Sequence, residues 1–458
     1  MKKLFNVFEL SFLKKLFTKS KIVFPILLLS VFIQLSCDTA EPPTPPLVVP
    51  TPKAVTLKLI DVSCTEAFIK VNAADSVLPV TITVSKDNNE LYNFTLTKTD
   101  TVIIDNTLQP NSLYIYQTTE QINSKEEKSD TIQVKTLPIT SSNFIWQTFA
   151  FGEPLTGGSC NLNDVFIINE NDIWAVGEIY LDDSGLPYNA VHWDGTKWEA
   201  KRITVNFRDN LITPPLHGVF CFSATDIWMA GSLPIHGNGI EWTLYDIRTT
   251  VDPNLSVAKA WGSNTNDIYF VGNLGSIAHY YNGIWNKLES GTESRFNDIW
   301  GYYNEKSGNT TVLTVSSELM TISDHRLISI TGNQAKDTLD YPYNRKLRSV
   351  WFKNNNSPIY VSGSDLMKYY KGKWQLFDLS DWVIHSMRGN DVNDIVVIDA
   401  QGVFYHYNGM EWDKDESLID KYGFESIAIK NNTVVIVGTV LNGGLASEAV
   451  IMLGKRAN

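Results

Sequence analysis

Cysteine is scarce in this sequence, and its few thiols form no recognisable pattern. Four cysteines occur among 458 residues. Beyond the first forty residues, Cys64, Cys160 and Cys221 are far apart, and they match neither the spacing of a disulfide framework nor that of a metal site. No stretch resembles a cofactor motif either. The sequence therefore predicts a protein without a disulfide scaffold, a bound metal or a cofactor.

Positive charge is also in short supply. The chain has 38 Lys and Arg against 50 Asp and Glu, a formal net charge of −12. Because residues 1–36 hold six lysines and one glutamate, the remainder has a formal charge of about −17. Proteins that bind nucleic acid hold its phosphates with clustered Lys and Arg. Nucleic acid is therefore excluded as an expected partner.

Long apolar runs are missing after the leader, and the leader itself has the layout of an export signal. Its lysines precede an apolar stretch from Ile22 to Leu35. At about 14 residues this stretch is too short to span a bilayer comfortably. We therefore expect residues 1–36 to direct export.

The apolar stretch ends in Leu35-Ser36-Cys37, which resembles the lipobox of bacterial lipoproteins. Such boxes usually have leucine where Gln34 stands here. The resemblance implies that residues 1–36 are a lipoprotein signal peptide and that Cys37 becomes lipidated and N-terminal. The alternative is an ordinary signal peptide or an uncleaved anchor. The expected location is the bacterial cell envelope, periplasmic or surface-facing, with the membrane as a partner through the lipid.

Two segments of different composition follow Cys37. Residues 37–52 form a linker with six prolines among residues 41–52, a composition that favours an extended, semi-rigid stalk. Residues 53–138 contain seven short runs of alternating apolar and polar residues, such as VTLKLIDV and VTITVSK, separated by turn formers. Seven short strands in this length predict a β-sandwich.

The run from Leu108 to Tyr114, LQPNSLY, resembles the tyrosine corner of fibronectin type III domains. The resemblance covers residues 53–138 and implies that Tyr114 fills the corner role. The core tryptophan that those domains usually carry on their second strand is absent, so we expect Phe68 and Val71 to fill its space. A domain of this kind is expected to act as a spacer.

Repeated phrases dominate residues 142–458. A phrase of the type NDIWAVG recurs seven times, beginning at Asn171, Thr225, Asn266, Thr310, Ser357, Asn393 and Asn432. A strand-rich repeat near 40 residues predicts propeller blades, here seven. The fold class expected for the chain is all-β, a sandwich followed by a seven-bladed β-propeller.

A second phrase, HWDGTKW in its first copy, has the Gly-containing turn of a tight hairpin. It ends in tryptophan at Trp198, Trp285, Trp374 and Trp412, which we interpret as packing residues. The last unit lacks such a strand, whereas an unpaired strand with Trp146 precedes the first unit. That strand is expected to complete blade seven and close the ring.

The two phrases resemble those of divergent bacterial propellers with DIW and DG-W repeats, many of them envelope lipoproteins. The resemblance spans residues 142–458. Blade two departs from it because no glycine hairpin is evident there, and blade four because the DIW core is missing.

Several polar residues are candidates for chemistry, and most are better interpreted as scaffold. The turn aspartates recur at equivalent places in different blades, which a ring holds apart: Asp172, Asp226, Asp267 and Asp394. His192 and His406 are aligned on third strands and are not expected to meet at a metal. Asp182-Asp183 is a weak calcium signal, more typical of a solvated acidic loop.

The residues that begin the first strand of each blade are expected to surround the channel mouth. Two places before the aligned strand starts lie Asn163, His217, Ala258, Asn297, Arg348, His385 and Glu425. Different polar chemistries at equivalent places are what a ligand site on a symmetric scaffold would show. A water-filled funnel is the alternative.

The ligand-binding residues predicted from this pattern are His217, Asn297, Arg348, His385 and Glu425. The expected function is a non-enzymatic binding or interaction module at the envelope, contacting a glycan, a polymer or an envelope protein. The alternative is a carbohydrate-active hydrolase or lyase with its site at the same mouth.

Overall fold

The structure, a computed structural model, describes residues 53–457 apart from residues 123–124, 153–159, 182–184, 318–323, 338–340, 342–344, 418, 420 and 443–444. The predicted signal peptide, Cys37 and the proline-rich linker lie outside the described residues. The described residues of 53–457 belong to one compact unit whose regular secondary structure is almost entirely strand. No helix in the described part is long and apolar enough to span a membrane.

The first part of this unit consists of two facing sheets. The strands are β1 (Val55–Val62), β2 (Ala67–Ala73), β3 (Val80–Lys86), β4 (Asn89–Leu96), β5 (Asp100–Asp105), β6 (Leu113–Ile122), β7 (Lys125–Lys128) and β8 (Ile132–Lys135), with a 3-10 turn at Asp75–Val77. One sheet has the order β1-β2-β5, and the other the order β4-β3-β6-β7 with β8 also on β6. Side chains from both sheets share one core, so the two sheets form a sandwich.

The second strand of the sandwich is buried on both faces, which contradicts one sequence expectation. Val71 lies in the sandwich core as expected, together with Ile69. Phe68 does not, because successive side chains of a strand point to opposite faces. Its ring lies 4.6 Å from the ring of Tyr370, centroid to centroid, in the propeller. The sandwich core is therefore filled from the odd-numbered positions of this strand, and Phe68 packs against the propeller.

The remainder of the unit is a ring of seven four-stranded sheets. The first strands of successive sheets contact one another in order, and the first strand of the last sheet contacts that of the first. This closed ring is a β-propeller, as the repeats predicted. The NDIWAVG-type phrases form the second strands, which neighbouring blades cover on both faces. Their residues are therefore largely buried, and in blade six all six residues of DIVVID are buried, both aspartates included.

The strands of the first four blades have the following bounds. Blade one comprises β10 (Asn161–Asn169), β11 (Asp172–Ile179), β12 (Tyr188–Trp193) and β13 (Trp198–Lys201). A hairpin of β14 (Val205–Phe207) and β15 (Asn210–Ile212) leads to blade two, which comprises β16 (Gly218–Ser223), β17 (Asp226–Ala230), β18 (Pro234–Gly237) and β19 (Trp242–Leu244). After the short helix α1 (Ile247–Thr250), blade three comprises β20 (Val257–Asn264), β21 (Asp267–Gly272), β22 (Ile277–Tyr281) and β23 (Ile284–Lys287). Blade four comprises β24 (Phe296–Asn304), β25 (Asn309–Ser317), β26 (His325–Thr331) and β27 (Gln334–Asp337).

Three further blades complete the ring. Blade five comprises β28 (Leu347–Phe352), β29 (Ile359–Gly363), β30 (Leu366–Tyr370) and β31 (Lys373–Phe377). Blade six comprises β32 (Ile384–Asp391), β33 (Asp394–Asp399), β34 (Phe404–Tyr407) and β35 (Trp412–Asp415). Blade seven comprises β36 (Tyr422–Lys430), β37 (Thr433–Asn442), β38 (Leu445–Arg456) and β9 (Phe144–Phe151).

Blade two contains a glycine hairpin after all, which corrects the sequence interpretation. The segment HGNGIEW from His236 to Trp242 joins its third and fourth strands, and Gly239 has a φ of +89° in the turn. The pattern is the same as in HWDGTKW, with glycine in place of the first tryptophan. A small residue is required there because a Cβ on Gly237 would lie 2.2 Å from the indole of Trp242.

The closure of the ring follows the prediction. Strand β9 pairs with β38 over eight residues, from Phe151 opposite Ala449 to Phe144 opposite Arg456. Trp146 lies on this strand and its ring contacts that of Phe404 at 5.1 Å. The indole is half-buried, whereas Phe144 is buried. The two ends of the propeller sequence are therefore held in one blade.

The sandwich packs against one end of the propeller. Each first strand begins at the end that we call the mouth end and runs to the opposite, turn end. At the turn end of blade five, Lys353 lies 3.8 Å from Asp61, and Lys368 lies 3.3 Å from Glu66. The Asn393 side chain donates to the Pro138 carbonyl at 2.7 Å. These contacts leave the mouth end uncovered by the sandwich.

Candidate functional site

The channel mouth is built from a repeated irregularity of the first strands. Six first strands contain a β-bulge, in which one extra residue is inserted opposite the second strand: Asn163, Ala258, Asn297, Arg348, His385 and Glu425. Blade two has a related irregularity at His217. The His217 amide donates to the Ala230 carbonyl, and Ala230 is also the residue that pairs with Gly218 on the neighbouring strand. Bulges re-aim side chains, and here they direct the extra residues to the axis.

The structure brings the five predicted residues together. His217, Asn297, Arg348, His385 and Glu425 line one cavity of about 80 Å³. Asn163 lines it as well, whereas Ala258 does not. A cavity of this size holds a handful of water molecules or one carboxylate-sized group, and not a sugar ring.

Three mouth residues serve partly as links between blades. Asn163, Asn297 and His385 each donate a side-chain hydrogen bond of 2.8 Å to a backbone carbonyl of the next blade, namely those of Leu216, Leu347 and Phe424. The carbonyl can only accept, so Nδ1 of His385 carries a proton. Substitution of any of the three would therefore change the contact between blades as well as the cavity.

Sequence reasoning missed a second set of residues at the mouth, two buried ion pairs. Arg388 forms two hydrogen bonds to Asp298, at 2.7 and 2.8 Å, and Lys259 lies 2.8 Å from Asp164. Asp164, Lys259 and Asp298 stand one place after the bulge, and Arg388 stands one place after its strand's aligned start. The other blades have glycine or serine one place after the bulge and mostly aromatic residues at the place of Arg388, so the charged side chains at these places were the signal that could have indicated the ion pairs.

The Asp298 carboxylate is held strongly in its charged form. Burial would raise its pKa, but the charge of Arg388, hydrogen bonds from Arg388 and Ser349, and the charge of Lys259 together lower the pKa below the usual range. The Val350 amide also donates to it at 3.1 Å. This carboxylate therefore joins blades four, five and six and is not available to a ligand.

The side chains of two arginines at the mouth have no hydrogen-bond or ion-pair partner among the described residues. Within the part of the chain described, neither the Arg295 nor the Arg348 side chain donates a hydrogen bond or forms an ion pair at contact distance. Burial lowers the pKa of Arg348, but an arginine stays charged at neutral pH. The cavity walls carry four cationic side chains against the carboxylates of Asp298 and Glu425. The mouth is thus locally positive in an acidic protein.

His217 is the third group free to act there. Burial lowers the pKa of its imidazole, and the positive charges of Arg295 and Lys259 lower it further. At neutral pH the ring is therefore uncharged, and it offers one donor and one acceptor instead of a third positive charge.

The channel continues below the mouth with apolar walls. The adjoining cavity of about 30 Å³ shares Lys259, Asp298 and Arg388 with the mouth and is otherwise lined largely by aromatic and aliphatic side chains. The Arg388 guanidinium lies 5.0 Å from the ring centre of Trp300. A ligand that enters from the mouth end therefore meets the ion pairs and the rings beneath them.

The turn aspartates are scaffold, as expected. Each accepts a hydrogen bond of 2.8 Å from a histidine of its own blade's third strand, in the pairs Asp172–His192, Asp226–His236, Asp267–His279 and Asp394–His406. Among the described residues no cluster of three or more metal-ligating side chains occurs. Asp182 and Asp183, the weak calcium candidates, lie outside the described residues.

The outer tryptophans and the thiols are structural as well. Trp198, Trp285, Trp374 and Trp412 pack against the apolar clusters of their blades. Cys64, Cys160 and Cys221 are free and buried. Burial raises the pKa of Cys64 to about 11, so this thiol is protonated and unreactive at neutral pH.

No protein-family model matches the chain, and no curated protein matches it. Solved structures that it resembles include one described as YCF48 bound to D1 peptide, with 15% identity, 70% of this chain and 100% of that chain covered, and a TM-score of 0.49. The C-terminal WD40 domain of Sif2 has 12% identity, covers 74% and 92%, and has a TM-score of 0.43. Sqt1 from Saccharomyces cerevisiae has 10% identity, covers 76% and 93%, and has a TM-score of 0.39. The assignment of a propeller to this chain rests on its own closed ring of seven sheets.

Proposed function

We propose that this protein is a non-catalytic binding module whose channel mouth receives an acidic group of an envelope glycan, polymer or protein. The observation that carries the proposal is the pair of uncommitted arginines, Arg295 and Arg348, in a cavity sized for one such group. Arginine presents several donors in a planar fork that matches a carboxylate. His217 supplies a further donor. Asn297, His385 and Glu425 shape the rim.

The N-terminal region anchors this module in the proposal. Lipidation at Cys37 attaches the chain to a membrane of the bacterial envelope, and the proline-rich segment and the sandwich act as spacers. The sandwich is a fibronectin type III-like domain. Its sheet orders support that assignment, as does the Tyr114 hydroxyl, which accepts a hydrogen bond of 2.8 Å from the Gln109 amide as in a tyrosine corner.

The position of the sandwich supports a mouth that faces away from the point of attachment. The sandwich contacts the turn end of blades five and six, so the mouth lies at the opposite end of the propeller. A module tethered through its sandwich thus offers the mouth away from its attachment.

The mouth is tested by comparing Arg348→Ala with Lys197→Ala, which removes an exposed positive charge at the turn end. The ligand probes are acidic glycans and acidic peptides on an array, followed by titration of the strongest binder. Arg348→Ala is expected to weaken binding at least tenfold, about 1.4 kcal/mol, and to leave the melting temperature unchanged. Equal affinities of the two variants would show that the mouth is a water-filled channel entrance that does not bind the ligand.

The same ligands separate binding from cleavage. Incubation of each bound glycan with the protein and measurement of newly formed reducing ends is expected to show no release. Steady release that Glu425→Gln abolishes would favour the alternative, a carbohydrate-active hydrolase or lyase at the mouth.

Lipidation is tested separately by labelling cells with a palmitate analogue. The full chain is expected to incorporate the label and Cys37→Ala to lose it, because the thiol is the only acceptor in the proposed signal. Unchanged labelling of Cys37→Ala would contradict the anchor.

A further inference from the structure

A second concave surface lies at the turn end of the propeller, far from the mouth along the strands. It runs between the turns of blades three and four and ends at Asn355 of blade five. We call it the turn groove. Its volume of about 670 Å³ lies in the range of small-molecule sites and is about eight times that of the mouth. The groove therefore has room for several sugar rings.

The turn groove carries little charge. Neither lysine, arginine nor glutamate is among its lining residues, and Asp267 is the one acidic residue. That carboxylate accepts hydrogen bonds of 2.8 Å from His279 and 2.7 Å from Ser263, so it is already occupied. Charged ligands find no complementary charge here, in contrast to the mouth.

The groove is also without aliphatic anchors. Its walls consist of asparagine, threonine, tyrosine, serine, glycine and the Asp267–His279 pair. Protein ligands are usually held by buried apolar or arginine side chains that insert into matching pockets. A peptide therefore has no anchoring pocket in this surface, and a ligand rich in hydroxyl groups fits it better.

Two tyrosines and several free amides provide the contacts that such a ligand needs. Tyr281 and Tyr303 are 51% and 40% exposed. The side chains of Asn266, Asn282 and Asn309 make no hydrogen bond within the part of the chain described. A pyranose ring has apolar C–H faces that cover an aromatic ring and a rim of hydroxyls that both donate and accept, as amides do.

The floor between these residues is rigid. The Tyr269 ring stacks on His279 with centroids 4.0 Å apart and planes at 6°, and the Tyr269 hydroxyl donates to the Gly332 carbonyl at 3.3 Å. His279 is also bound to Asn333 at 2.7 Å. Because these side chains are already ordered, a ligand does not bear the entropic cost of arranging them.

We propose that the turn groove binds a neutral oligosaccharide, with Tyr281 and Tyr303 stacking on sugar rings and the asparagines bonding their hydroxyls. At Asn355 the groove meets a cavity lined by Ile60 and Val102 of the sandwich. A saccharide longer than the groove continues along the sandwich, which then contributes to binding.

The experiment titrates the full chain with cello-, xylo-, malto- and chito-oligosaccharides of six sugars by calorimetry. At least one of them is expected to bind, Tyr281→Ala is expected to weaken it at least tenfold, and Tyr303→Phe is expected to retain most of the affinity because the ring remains. Trp382→Ala is the matched control, since this indole is 53% exposed but lies outside the groove.

Arg348→Ala separates this site from the mouth, because it is expected to leave binding of the neutral hexasaccharide unchanged. Absence of binding by all four probes at millimolar concentration, or equal affinity of Tyr281→Ala and Trp382→Ala, would overturn the proposal. Binding of a neutral peptide that Tyr281→Ala abolishes, with no saccharide binding, would overturn it as well.

Discussion

Replacing Arg388 with methionine is expected to lower the free energy of unfolding by about 3 kcal/mol, because it leaves a buried carboxylate without its counter-ion. Asp298 is 4% exposed, and in addition to Arg388 it accepts hydrogen bonds from Ser349 at 2.6 Å and Ile299 at 2.9 Å. Urea unfolding of the wild type and of Arg388→Met measures the loss. The single variant Asp298→Asn is expected to be destabilised as well.

The double variant is the informative control for this ion pair. Once both charges are gone, Asp298→Asn with Arg388→Met is expected to lose less stability than the sum of the two single losses, since neither charge is stranded. Additive losses would show that the two side chains stabilise the ring independently.

The pH dependence of stability follows from the same pair. The folded pKa of Asp298 is depressed, so its contribution is present above the ordinary aspartate pKa of about 3.9 and is lost as the pH falls through the lower folded value. In Arg388→Met the charge and the hydrogen bonds of Arg388 are absent, so the folded pKa of Asp298 rises even though Ser349 and Lys259 still lower it. The loss of stability caused by Arg388→Met is therefore expected to be largest above the ordinary aspartate pKa and to shrink as the pH falls through it, because protonation of Asp298 removes the stranded charge. Urea unfolding of both proteins at several pH values measures this, and a loss that does not change with pH would contradict the assignment.

Removal of the Phe144 ring is expected to cost about 3 kcal/mol and to loosen the closure of the ring. Phe144 is 9% exposed and packs at 5.7 Å on Phe404 and beneath the Arg456 guanidinium at 5.0 Å. Truncation of a buried phenylalanine to alanine has a cost of this order. Ile145→Ala is the matched control, because this neighbour on the same strand is 64% exposed and its loss is expected to change little.

Hydrogen exchange locates the effect of Phe144→Ala. Amides of β38 are expected to exchange faster in this variant than in Ile145→Ala, whereas amides of blade three on the far side of the ring keep their rates. A uniform acceleration over all blades would show that β9 is not a local closure. Equal melting of the two variants would contradict the role of Phe144.

The repeats were sufficient to predict the number of blades, the second strands, the closing strand and the residues at the mouth. Each of these depends on local regularities, namely alternation along a strand, Gly-containing hairpins and a repeated start position. The glycine hairpin of blade two was missed because Gly237 stands where the first copy of the phrase has a tryptophan. The packing contact that requires this glycine is visible only in the folded blade.

The sequence by itself determined the propeller and which polar side chains reach its mouth, because strand period and turn chemistry act over a few neighbouring residues. Only the tertiary structure decided what each of them does there. Asp298 of blade four and Arg388 of blade six lie 90 positions apart in the sequence. They pair because closure of the ring brings the first strands of both blades to the same channel. Likewise, the outer face of the second sandwich strand is buried only because the propeller packs against it, and there Phe68 contacts Tyr370. Partners across a ring are chosen by folded geometry, which no local pattern encodes.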